Sequence, residues 1–114
     1  MKPQHEQLAN GKWKDLPFLE QMANIGSEVI RASQWKQKGN KAYSKQAFYR
    51  ALELLTFSLD DKKNQLRLKE LARIYETLVD FFEGDNIYHS SYDDFNKQFH
   101  SFTYAANLSR SLRG

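Results

Sequence analysis

Apolar residues along this sequence recur at spacings of three and four, the period of an amphipathic helix. The first such run is Phe18, Met22, Ile25, Val29 and Ala32, widened by Leu19, Ala23, Ile30 and Trp35. Asp15-Leu16-Pro17 reads as its start, because a proline in the first turn gives up an N–H that has no helical partner there. Gly39 ends it. Asn40 then caps a second helix that runs to about Leu59. Ala47, Ala51, Leu54 and Leu55 form one side of that helix, joined by Tyr43, Phe48, Leu52 and Phe57. The polar run from Asp60 to Asn64 is the natural turn. A third helix carries Leu66, Leu68, Leu71, Ala72, Ile74, Tyr75, Leu78, Val79 and Phe82 and stops at Gly84. After a short connector over Ile87 to Ser90, Ser91 caps a fourth helix, with Asp94 as a weaker form of the capping-box partner. Phe95, Phe99, Phe102 and Ala106 make its apolar face, with Leu108 and Leu112 beyond, and residues 109–114 are expected to fray.

No run alternates with period two for long enough to argue a strand. Four amphipathic helices joined by short loops bury their stripes best as antiparallel neighbours. The expected fold is therefore all-α, an up-and-down bundle of four helices over residues 15–114. Residues 1–14 are polar, with Gly11 and a lone tryptophan at Trp13, and read as a flexible N-terminal arm. Gly26, in the middle of the first helix, costs about 1 kcal/mol relative to alanine and so hints at close helix–helix approach.

Composition narrows the class without naming a function. The chain has 114 residues, enough for one domain. It has no cysteine, which excludes disulfides and thiolate metal sites. Its net charge of +3 is far from the dense basic stripe of a dedicated nucleic-acid binder. No apolar stretch reaches membrane-spanning length, and the polar N-terminus has no signal-like apolar region, so a soluble cytoplasmic protein is expected.

Candidate chemistry is sparse. His5, His89 and His100 lack the helical pairing of a metal motif, and the five glycines are scattered singly rather than gathered in a phosphate loop. The pairs Asp60-Asp61 and Asp93-Asp94 sit where turns and helix starts favour negative charge. Asp80, Glu83 and Asp85 are a weak cation cluster. No serine lies in a nucleophile elbow. The sequence therefore assigns no catalytic, cofactor or metal residues and favours a non-enzymatic role.

Two polar clusters stand out as a candidate binding surface. One is Glu28, Arg31 and Trp35 beside Gly26; the other is the connector Gly84 to Ser91, with Asp85, Asn86 and Tyr88. Both have a plainer reading, as an exposed ion pair and as a helix cap running into the next. Lys12, Lys14, Arg31, Lys36, Lys38, Lys41 and Lys45, interleaved with Trp13, Trp35, Tyr43 and Tyr49, form a weak candidate RNA-contacting surface.

The segment Trp35, Gly39-Asn40, Tyr43, Ala47 and Ala51-Leu52-Glu53-Leu54 resembles part of a tetratricopeptide repeat, but it occurs once, and one repeat cannot bury its own faces. A broader resemblance covers about residues 11–108. It rests on Phe18-Leu19-Glu20-Gln21-Met22-Ala23-Asn24-Ile25-Gly26-Ser27-Glu28, on Arg50-Ala51-Leu52-Glu53-Leu54-Leu55 and on Phe81-Phe82-Glu83-Gly84-Asp85-Asn86. These runs are similar to a family of small uncharacterised prokaryotic helical proteins related to the HEPN-like bundles. That resemblance implies a helical bundle that forms a homodimer and acts through protein–protein contacts, with a nucleotidyltransferase as a partner. Active HEPN members carry an arginine four to six residues before a histidine for RNA cleavage; none of the three histidines here has one, so ribonuclease activity is not implied. The alternative expectation is an RNA- or nucleotide-binding protein using Arg31, Trp35 and the Asp85 to Tyr88 connector.

Overall fold

A computed structural model describes residues 11–113. It contains four α-helices: α1 Phe18–Gln37, α2 Lys41–Leu59, α3 Leu68–Phe82 and α4 Tyr92–Arg113. Two short 3-10 segments, Lys12–Asp15 and Lys62–Arg67, precede α1 and α3. Among the described residues there is no strand, and the fold is the up-and-down four-helix bundle that the spacing predicts. Helix α1 packs closely on α2 and α4, while α3 leans on α2.

The core follows the stripes. Met22, Ile25, Val29 and Ala32 of α1 meet Ala47, Phe48, Ala51, Leu54 and Leu55 of α2, Leu71, Ile74 and Leu78 of α3, and Phe95 and Phe99 of α4. Gly26 lets α4 approach: a Cβ placed there would lie 2.8 Å from the Cβ of Phe99, inside any real contact distance. The glycine is therefore the notch that seats the Phe99 side chain.

The α1–α2 corner is a tight reversal. The Asn40 N–H donates to Trp35 O at 2.9 Å and the Gly39 N–H to Lys36 O at 3.1 Å, the paired bonds of a Schellman termination. Gly39 has φ +83°, a conformation that favours glycine. Asn40 also opens the next helix, its Oδ1 accepting from the Tyr43 N–H at 3.0 Å. At the other end of the chain, Ser91 and Asp94 form a reciprocal capping box, with bonds of 2.9 and 3.1 Å.

Three expectations shift. The third helix begins at Leu68 instead of Leu66, because residues 62–67 wind as 3-10 helix; Leu66 is fully exposed instead of core-facing. The last residues stay helical through Arg113, held in part by the Arg110 guanidinium on Glu20 at 3.1 Å. Finally, Lys12 to Lys14 are not loose: they form a 3-10 turn that buries Trp13 to 1% exposure. Residues 1–10, with the rest of the expected arm and His5, lie outside the described residues.

Candidate functional site

The two ends of the bundle handle polar groups in opposite ways. At the end where α1 starts and α2 finishes, a polar cluster is buried and fully paired. The Trp13 indole donates to Ser58 Oγ at 2.9 Å, and Ser58 donates in turn to Gln21 Oε1 at 3.1 Å. Gln21 Oε1 also accepts from Asn64 at 2.8 Å, while its Nε2 donates to Trp13 O at 3.1 Å and to Asp61 Oδ2 at 2.9 Å. Both amide hydrogens and both acceptor sites of Gln21 are thus used. The Lys63 ammonium closes the cluster on Asp61 and on Lys14 O. Burial alone would raise the Asp61 pKa. Hydrogen bonds from the Lys63 ammonium, the Gln21 amide and the Lys63 N–H outweigh it and hold the carboxyl below its usual value. Among the described residues no buried side-chain nitrogen or oxygen lacks a partner, so this cluster has nothing left to offer a ligand. It is a clasp that ties the Trp13 turn to the bundle.

The opposite end is open. A cleft of about 600 Å³ lies between the end of α1, the start of α2 and the end of α3. Lys36, Lys41 and Lys45 line it, with Phe82 and Glu83 from α3, Ala42 and Ser44 from α2, and Phe48 beneath. Ser44 is fixed by its hydroxyl on Ala32 O at 2.8 Å, which pins α2 to α1 beside the cleft. The Lys36 ammonium sits 4.8 Å from the Phe81 ring centre and 5.4 Å from that of Phe82. Lys41 and Lys45, one helical turn apart, have no carboxylate within ion-pair distance among the described residues.

The charge around this corner is unusual for the molecule. Helices α1, α3 and α4 carry acidic residues in their first turns, where they complement the helix dipole. Helix α2 has none and places Lys41 there instead. Glu83 is the one carboxylate among the described residues of the cleft lining, and the Tyr49 hydroxyl lies beside it. The hydroxyl's interaction with Glu83, with desolvation and the adjacent negative charge, raises the Tyr49 pKa above its ordinary value.

The six residues singled out from sequence do not gather at one place: Glu28 and Arg31 pair with each other, and none of the six lines the cleft. Glu28 bridges α1 and α2, taking Arg31 and Arg50 each at 3.1 Å. Trp35 meets the Tyr43 ring edge-on at 4.8 Å, with the Lys38 ammonium 5.2 Å from its centre. Tyr88 stacks beneath Arg73, 4.4 Å from the guanidinium, and points its hydroxyl at Glu76. Asn86 clamps Ser90 from both sides, its Nδ2 on Ser90 O and its Oδ1 accepting from the Ser90 N–H, each at 2.9 Å. Asp85 is exposed in the same loop. Asp80 accepts from the N–H groups of Ile87 and Tyr88, so it organises the connector, while Glu83 turns to Tyr49.

Sequence reasoning did group Lys36, Lys41 and Lys45 near the first turn. What it missed is that Phe48 and Phe82 complete their surface. The Schellman glycine and the Asn40 cap, which fold α2 back beside α1, were the signal for that corner.

Among the described residues no group of three or more His, Cys, Asp or Glu is placed to hold a metal ion. No helix there is long and apolar enough to cross a membrane. No family model, curated protein or solved structure matches the chain.

Proposed function

We propose that the chain is a non-enzymatic protein–protein interaction module, a HEPN-like helical bundle of the cytoplasm that receives a partner protein in the lysine-lined cleft. The observation that carries this reading is the cleft itself. It joins Lys41 and Lys45, two cations with no acidic partner among the described residues, to an apolar floor of phenylalanines. Such a surface favours a ligand that is negative at its edges and apolar in its middle.

The alternative, RNA or a nucleotide, needs bare aromatic faces for bases to stack on. Around the cleft, the rings of Phe82 and Trp35 are taken up by the protein, while Tyr43 and Tyr49 stay exposed. Phe82 is stacked with Phe48 at 5.0 Å and with Phe95 at 6.4 Å, and Lys36 lies over it. Trp35 is covered by Lys38 and Tyr43. Charge remains to attract a phosphate, but the stacking component is reduced at the cleft, which tips the balance toward a protein partner.

The reading includes a homodimer and, by the resemblance, a nucleotidyltransferase as partner. Tyr104, Leu108 and Leu112, exposed at intervals of four along α4, supply an apolar helix face for the dimer. Light scattering at micromolar concentration should return a dimer mass, and a monomer mass removes that part.

An amide-resolved NMR titration tests the cleft. A glutamate-rich dodecapeptide should move the amides of Gly39 to Lys45 and Glu83, and an oligouridylate of matching charge should move them less. If the oligouridylate produces the larger shifts, the protein-partner reading falls.

A further inference from the structure

We infer that the segment recognised at the α1–α2 corner is acidic on both flanks of a single apolar side chain, with the carboxylates on Lys41 and Lys45 and the apolar group on Phe82. This rests on the protein-partner reading above and names the chemistry of the partner at that site. Three features of the cleft lead to it.

The first is the spacing of the cations. Lys41 and Lys45 stand four apart on α2, which puts their Cβ atoms about 5–6 Å from each other on one face. Two carboxylates separated by one intervening residue in an extended segment, at about 3.3 Å per residue, span about the same distance. An extended acid–apolar–acid triplet therefore sets both carboxylates on the lysines. Side chains alternate along such a segment, so the two acids share one direction and the middle residue takes the other.

The second is the floor. Phe48 is buried and Phe82 half-buried, and Ala42 adds a methyl group, so the floor of the cleft is apolar, with the Lys36 ammonium drawn over the Phe82 ring. An apolar side chain placed there removes surface from water on both partners. The apolar residue must be neighbour to the acids, not remote from them, because the lysines rim the same cleft that the phenylalanines floor.

The third is polarity at the rim. Glu83 occupies the α3 side of the cleft and is engaged with Tyr49. A segment that ran its acids along that side would meet this carboxylate. The complementary orientation keeps the acids on the α2 side and lets the apolar side chain point toward α3. Lys36, drawn over the Phe81 and Phe82 rings, covers the apolar end and adds a cation close to it.

The test uses the full chain and two fluorescein-labelled peptides of equal net charge, one with a central Glu-Leu-Glu and one with Glu-Gly-Glu. Fluorescence anisotropy should show the leucine peptide binding about tenfold more tightly, with affinity falling as salt is raised. The double variant Lys41→Glu, Lys45→Glu should abolish binding of both, while Lys97→Glu on α4 should leave it unchanged; circular dichroism melts confirm that both variants fold. Equal affinity for the two peptides overturns the apolar specificity and leaves the protein-partner reading standing. Leucine-peptide binding that survives the double variant overturns the site. If neither peptide binds, but anionic phosphatidylserine vesicles or an oligouridylate do, the occupant is not a peptide and both readings fail. If the double variant instead turns a dimer into a monomer in sedimentation velocity, the occupant is a second copy, and the inference is again overturned.

Discussion

The closed and open ends of the bundle use similar residue types for opposite purposes. At the closed end, Lys63 and Asp61 neutralise each other, and Gln21 spends every hydrogen-bonding position on Trp13, Ser58, Asp61 and Asn64. At the open end, Lys41 and Lys45 stand against a helix start that already carries partial positive charge. A polar group whose partners are internal stabilises the fold; one left without a partner in a concave surface stabilises only a complex. The comparison separates structural polarity from available polarity, and each end can be perturbed to break it.

The largest effect belongs to Trp13. Trp13→Ala removes a fully buried indole and its hydrogen bond to Ser58, and should lower the unfolding free energy by about 3–5 kcal/mol in urea titration. A loss under 1 kcal/mol would mean that the turn is not part of the cooperative unit. Alanine at Lys41 or Lys45 should stay within about 0.5 kcal/mol of the parent, as befits exposed side chains away from buried networks.

Gly26 lies between the ends and calibrates them. Gly26→Ala gains about 1 kcal/mol of helix propensity but drives a methyl group into Phe99, a contact at 2.8 Å to a carbon anchored on the α4 backbone. Overpacking of about 1–3 kcal/mol should win, and thermal melting should show a net decrease. This position was legible from sequence because a glycine in an otherwise regular helix needs a reason. So were the four helices, whose stripes at Met22 to Ala32 and Phe95 to Ala106 have no competing period. The clasp was not legible. Trp13 finds Ser58 forty-five residues away, and Gln21 looks like any polar residue until the chain folds. Leu66 misled for a related reason: a leucine in register with the α3 stripe reads as core, yet the Asp61-capped 3-10 segment turns it to solvent. The lysine cleft was half legible, since its cations cluster in sequence around Gly39 while Phe82 arrives from α3.

Acid titration separates the ends by a smaller margin. Because the folded Asp61 carboxyl has a lowered pKa, its contribution is present above the unfolded-state value, near 3.9, and is lost as pH falls through the folded one. Stability of the parent should therefore drop on acidification below about pH 4. Asp61→Asn should lower stability at neutral pH by about 1–3 kcal/mol, the range for a hydrogen-bonded charged group, and flatten that acid limb. An acid limb of unchanged slope would show that the clasp does not depend on the Asp61 charge.

The smallest effect is also the one of opposite sign. Lys41→Glu replaces a cation at the first turn of α2 with the charge that a helix start prefers, and should raise stability by about 0.3–1 kcal/mol. At the closed end, Lys63→Glu sets a second negative charge beside the buried Asp61 and should lower it. Two identical exchanges thus move stability in opposite directions according to whether the lysine has an internal partner. Paired chemical denaturation of the two variants at low ionic strength measures this, and added salt should shrink the gain at Lys41. A loss of stability for Lys41→Glu would mean that Lys41 supports the fold. In that case its position in the cleft would be a structural requirement, not a surface kept for a partner at some expense to the helix.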